Sequence, residues 1–118
     1  MIVLDHTIVP AHDKEESARF YARIFGLRYE GAAGHFAPVR INDSLTFDFD
    51  TQTSFEPLHY AFKVGGSEFD EIFEHVRREG IPYGSGPFTA TDMTIGEHGG
   101  RRFYFRDPGG HLLEVLTV

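Results

Sequence analysis

The chain has 118 residues, enough for one hydrophobic core and too few for two independent ones. Hydrophobic residues make up 41% and charged residues 25%, a globular profile, and 18 acidic against 11 basic side chains give a net charge of −7 that opposes binding to DNA or RNA. The absence of cysteine excludes disulfides, thiolate zinc sites and thiol nucleophiles but leaves the redox compartment undetermined, so the cytoplasm is expected by default.

Residues 2–9 (IVLDHTIV) are β-rich and end at Pro10, which predicts a first strand. The same run is broken by Asp5 and His6 and lacks a basic flank, so it reads as neither a signal peptide nor a membrane span. From Asp13 to Phe25, apolar Ala18, Tyr21, Ala22 and Phe25 recur at helical spacing, with Asp13 placed as N-cap and Gly26 as the stop. Short strands are expected at residues 27–30, 36–41 and 45–49, separated by turns at Gly34 and at Asn42-Asp43. The order then repeats. A strand is expected at 58–64, a helix from Ser67 to about Glu79 capped by Ser67 and Asp70, and strands at 82–83, 102–106 and 112–117, with Asp107-Pro108-Gly109-Gly110 as the last turn. The pattern predicts an α+β protein of two βαβββ modules, about residues 1–52 and 56–118, forming a single domain with pseudo-twofold symmetry and the first strands near its centre. His6 and His59 fall at equivalent places, 53 residues apart.

Strand alternation then sorts the side chains by face. Leu112, Glu114 and Leu116 share one face of the last strand, so Glu114 stands between two leucines. A carboxylate there loses hydration worth several kcal/mol unless a cation or dense hydrogen bonding replaces it. His59 faces away from the apolar Tyr60, Phe62 and Val64, and His6 lies between Leu4 and Ile8. Two imidazoles and a carboxylate suit Fe(II), and equally Mn, Zn or Ni. The competing reading makes each histidine a satisfied core residue and pairs Glu114 with an arginine.

Four stretches, LDHTI at residues 4–8, SARFYARIFGL at 17–27, LHYAF at 58–62 and FYFRDPGGHLLE at 103–114, resemble the vicinal oxygen chelate superfamily. That superfamily includes glyoxalase I, fosfomycin-resistance proteins, bleomycin-binding proteins and extradiol dioxygenases. The resemblance spans nearly the whole chain. It implies a cupped mixed sheet around one divalent metal held by His6, His59 and Glu114. FAPVRINDSLTFDF at 36–49 and FEPLHYAF at 55–62 look most like its ChaP-like branch, described as dioxygenase-like.

The resemblance also ranks the chemistries. The metal triad counts against a bleomycin-type binding module, and Ile8 replaces the threonine that fosfomycin-modifying relatives carry two residues after the first histidine. Glyoxalase I takes a fourth ligand, usually Glu, from the strand where this chain offers Thr46 and Asp48. Tyr104, ten residues before Glu114, matches a tyrosine that in extradiol dioxygenases helps hold a metal-bound oxygen. His98, among Gly96, Gly99 and Gly100, sits in a segment suited to a lid and to proton transfer, and Arg40 is placed to bind an anionic substrate oxygen. The expectation is therefore a homodimeric, metal-dependent dioxygenase-like oxidoreductase, with Fe(II) as the favoured ion. Its substrate would be a small aromatic or polyketide-like molecule chelated through vicinal oxygens. A glyoxalase-type lyase or isomerase and a drug- or metabolite-binding resistance protein are the alternatives.

Overall fold

A computed structural model describes all 118 residues, in two compact units, Met1–Glu56 and Pro57–Val118. The fold is α+β in each.

In the first unit, strand β1 (His6–Ala11) leads into helix α1 (Lys14–Phe25), followed by β2 (Ala37–Arg40) and β3 (Thr46–Thr51). Asp13 caps α1 as its short carboxylate allows, accepting from the N–H groups of Glu15 (3.0 Å) and Glu16 (3.2 Å). Gly26 ends the helix at φ 68°, a left-handed conformation that favours glycine. The buried face of α1 is Ser17, Ala18, Phe20, Tyr21 and Ile24, turned slightly from the expected stripe because Ala22 and Phe25 are only half-buried. Tyr21 packs its ring on Phe47 and Phe49, with centroids 5.9 and 4.8 Å away.

The sheet order is β1-β3-β2, with β1 parallel and β2 antiparallel to β3. Val9, Ala11, Val39, Phe47 and Phe49 form its buried face. His6, Ile8, Thr46, Asp48, Pro38 and Arg40 share the other, more open face. The β2–β3 turn is built by Asn42, whose Oδ1 accepts from the N–H groups of Ser44 and Leu45.

The expected strand at 27–30 is absent. The Leu27 N–H is spent on the helix cap, donating to Ala22 O (2.9 Å), and Tyr29 is tied back to α1 by its hydroxyl on Glu15 (3.0 Å). Only an isolated Ala33–Phe36 bridge remains before β2.

The second unit runs β4 (His59–Lys63), α2 (Gly66–Arg78), β5 (Tyr83–Gly84), β6 (Gly96–Glu97), β7 (Arg101–Arg106) and β8 (Leu112–Leu116). Its sheet order is β4-β8-β7-β5, with β6 paired to β7 and β4 parallel to β8. The two-residue β6 was not expected from the sequence. Helix α2 starts one residue earlier than expected. Gly65 is its N-cap, and the Glu68 carboxylate accepts from the Gly65 N–H at 2.9 Å. Ser67 lies inside the first turn, and Asp70 pairs with Arg101 (2.7 Å).

Phe69, Ile72 and Val76 of α2 are buried, as are Phe103, Phe105, Leu113 and Val115 of the sheet, and Phe69 meets Phe103 edge to face at 5.2 Å. Gly84 has no room for a side chain, since a Cβ would lie 1.8 Å from Thr89 O. No helix is long and apolar enough to cross a membrane.

Candidate metal centre

The face of the second sheet opposite α2 gathers polar side chains in register rows. Ala61, Glu114 and Tyr104 form one row, and His59, Leu112 and Arg106 the next. Glu114 is buried, with 10% of its side chain exposed, and its two oxygens have different partners. Oε1 is 3.1 Å from His59 Nε2, and Oε2 is 3.3 Å from Arg102 Nη1. The sheet therefore brings together two of the three expected ligands.

The tautomer of His59 is constrained by what it touches. Nδ1 lies 3.1 Å from the carbonyl oxygen of Leu112, which can only accept, so Nδ1 carries a proton. Nε2 faces a carboxylate oxygen. A proton shared between ring and carboxyl satisfies that contact, as does a metal cation standing in its place. A histidine whose Nδ1–H is held by a backbone carbonyl is oriented as metal ligands usually are. His59 Nε2 and Glu114 Oε1 are donors of the kind a divalent ion takes, two of the three that the resemblance implies.

His6 belongs to the first unit and opens β1 beside Thr46. Its Nδ1 is 2.8 Å from Asp5 Oδ2, which leaves Nε2 for a further bond. The hydrogen bond to the Asp5 carboxylate raises its pKa above the ordinary 6.5. The expectation that His6 is embedded among aliphatics fails. Leu4 precedes the strand, Ile8 is 48% exposed, and 60% of the His6 side chain is open. No three His, Asp or Glu side chains gather into a metal-holding group.

Pairing register makes Asp48 the counterpart of Glu114. Asp48 sits opposite Ile8, two residues on from His6, just as Glu114 sits opposite Ala61, two residues on from His59. Asp48 is half-buried, and its neighbour Asp50 takes His35 at 2.8 Å.

Tyr104 is 6% exposed, lies directly across from Glu114, and stacks on the His59 ring with centroids 6.1 Å apart. Burial raises its pKa above 10.0, opposed by Arg102 and reinforced by the Glu114 charge, so the phenol stays a donor at neutral pH.

Arg40 is exposed, donating to Thr46 Oγ1 at 3.3 Å and to the carbonyl of Asp43. It lines an open cleft of about 530 Å³ with Leu27, Arg28, Glu30, Pro38 and Thr46. His98 is exposed in the tight turn between β6 and β7, where its N–H donates to Gly100 O at 3.1 Å. That segment is a hairpin end, a different setting from the expected flexible lid.

Two residues that the sequence reading passed over shape the centre. Arg102 holds the second oxygen of Glu114 at 3.3 Å, the arginine pairing that the competing reading expects. His111, fully buried, accepts the Leu58 N–H on Nδ1 at 2.8 Å and meets Tyr60 edge to face, fixing the chain just before His59. For Arg102 the available signal was strand alternation, which puts it on the face of Tyr104.

The Glyoxalase/Bleomycin resistance protein/Dioxygenase superfamily model matches residues 3–115. Among solved structures, Oxidase ChaP-H2 is 44% identical with a TM-score of 0.93, covering 99% of this chain and 94% of that one. Oxidase ChaP-H1 is 42% identical, also with a TM-score of 0.93, over 100% of this chain and 97% of its own. Glutathione transferase FosA of Serratia marcescens is 24% identical over 119 residues, 95% of this chain and 78% of that protein. With its two helices and mixed sheets matched over nearly the whole length, the chain belongs to the glyoxalase, bleomycin resistance protein and dioxygenase superfamily, the vicinal oxygen chelate fold.

Proposed function

We propose that this chain is a metal-dependent oxygenase that acts on a small aromatic or polyketide-like molecule bound through two neighbouring oxygens, with His6, His59 and Glu114 holding the ion. The observation that carries the reading is the His59–Glu114 contact, in which a ring already committed through Nδ1 presents Nε2 to a buried carboxylate oxygen. The likeness to two ChaP oxidases at 42–44% identity supports oxidative chemistry over the alternatives. When bound, a divalent ion supplies Lewis acidity toward a chelated hydroxyl and, as iron or manganese, a redox centre for O2. Fe(II) is the ion this reading favours.

The chain's own groups have separate tasks. His59 and Glu114 are held by Leu112 O and Arg102, so the donor pair is set before any ligand arrives. Tyr104 donates its phenolic proton to charge developing on a substrate oxygen. Asp48 is a second carboxylate on the equivalent strand, His98 a proton carrier at a turn, and Arg40 a cation for an anionic substrate oxygen.

The protein works as a homodimer in this reading. Strands β1 and β4 end their sheets, and Met1, Ile2, Leu4 and Ile8 are exposed apolar side chains that a second copy would cover. The cytoplasm is the default compartment in this reading.

The deciding experiment supplies Fe(II), Mn(II), Zn(II) or Ni(II) to metal-free protein with catechol-type substrates, and follows O2 uptake. Uptake with iron or manganese and none with zinc or nickel is expected. Turnover without O2, sustained by zinc or nickel, would replace the oxygenase with a lyase of glyoxalase type. Tight ligand binding by the metal-free protein would make it a binding module.

A further inference from the structure

We infer that Arg102 is a positioning residue of the metal centre, holding Glu114 Oε2 so that only Oε1 is presented to the ion. The inference deepens the metal-centre reading above and rests on it. Three observations carry it.

First, the two oxygens of Glu114 are divided between partners on opposite flanks, His59 Nε2 at 3.1 Å from Oε1 and Arg102 Nη1 at 3.3 Å from Oε2. Second, the sheet register fixes this division. Arg102 stands two residues before Tyr104, which lies across from Glu114, so the guanidinium rises from the same face beside the carboxylate. Third, only 10% of the Glu114 side chain is exposed, so water does not replace Arg102 on Oε2. The Arg102 Nε is also buried without a partner, a donor in reserve on the guanidinium that already grips this carboxylate.

The consequence concerns room on the ion. A carboxylate with both oxygens free can grip a cation through the pair and occupy two coordination positions. One whose second oxygen is committed to arginine occupies a single position. With Arg102 in place, the position saved is available to a substrate that brings two neighbouring oxygens.

The test uses full-length protein loaded with Zn2+, which has no redox chemistry to destroy a probe. The probe is 4-nitrocatechol, whose absorbance changes on chelation. Arg102→Met keeps the aliphatic stem and removes the donors. It is expected to retain one Zn2+ per site yet bind the probe about 10- to 100-fold more weakly, the usual cost of losing a partner of a metal ligand. Arg102→Lys, which keeps one cationic donor, is expected to restore most of that affinity. A purely structural role would lower the melting temperature of the metal-free protein and leave probe affinity in the folded, zinc-loaded state unchanged.

If Arg102→Met does not fold, Arg102→Leu, which likewise has no donor, takes its place with the same expectation. Probe affinity equal to wild type in the folded variant overturns the inference while the metal reading stands. So does wild-type protein that holds Zn2+ but leaves the probe unbound, because there is then no position for Arg102 to protect. Wild-type protein that takes up no metal overturns the metal reading, and this inference with it.

Discussion

Replacing His111 by alanine tests whether the start of β4, and with it His59, is set by one buried ring. The imidazole is fully buried, and its Nδ1 accepts the Leu58 N–H at 2.8 Å, while Leu58 O in turn accepts from Leu112 N at 2.9 Å. Alanine removes the ring and leaves the Leu58 donor without its acceptor. An unsatisfied donor costs about 1–3 kcal/mol, and emptying a ring-sized space adds to it, with aromatic-to-alanine changes in cores costing about 3–5 kcal/mol in all. A loss of about 3–5 kcal/mol lowers the melting temperature of a domain this size by roughly 10–20 °C.

His111→Asn separates the two contributions, because Oδ1 stands close to where Nδ1 stood and restores the acceptor. Its loss should be smaller by about 1–2 kcal/mol, the worth of the recovered hydrogen bond. The assay is thermal unfolding of metal-free protein with amide exchange at Leu58 and Leu112. Both amides should exchange faster in the alanine variant and recover in the asparagine variant. A melting temperature within about 2 °C of wild type, or unchanged protection at Leu58, would refute the clasp.

Tyr104→Phe should keep the metal and the fold while cutting turnover on the order of a hundredfold or more, since a positioned donor to a developing oxyanion is worth about 2.7–4 kcal/mol. Metal content measured beside turnover checks it, and unchanged turnover would return Tyr104 to a packing role. The segment between β5 and β6 should loosen in acid. Asp92, held by Ser85 and Thr94, has its pKa lowered from 3.8 to about 2. Its contribution is therefore complete above pH 4 and lost as pH falls from about 4 to about 2, which amide exchange at Ser85 and Thr94 will report, with Asp92→Asn showing no such acid transition there.

Much of the fold was legible because local chemistry and global packing agree. Asp13 and Gly26 delimit α1 through a side-chain acceptor and a left-handed φ, and Asn42 and the Asp107–Gly110 turn act through hydrogen bonds no longer than four residues. The failures have local causes too. Residues 27–30 alternate like a strand, but Leu27 and Tyr29 are claimed by α1 before any ladder can form. Ser67 looked like a cap, yet Glu68 reached the Gly65 N–H first.

At the site, Glu114 and His59 were legible because a carboxylate and an imidazole on an apolar sheet need an explanation. His6 was chosen on the same argument, but its face is open, so its case rests on its family position and its equivalence to His59. Arg102 was hidden because an arginine on a strand draws no notice until its register beside Glu114 is known. His111 escapes notice because burial behind a glycine turn cannot be read from sequence.

The most direct test of the central claim is the metal content of purified protein, measured for wild type and for His6→Ala, His59→Ala and Glu114→Ala after loading with the same ion. The account predicts one ion per chain in wild type and loss of most of it in each variant, with the fold retained by circular dichroism. Full metal content in any one of the folded variants would contradict the assignment of that residue and, with it, the three-ligand centre.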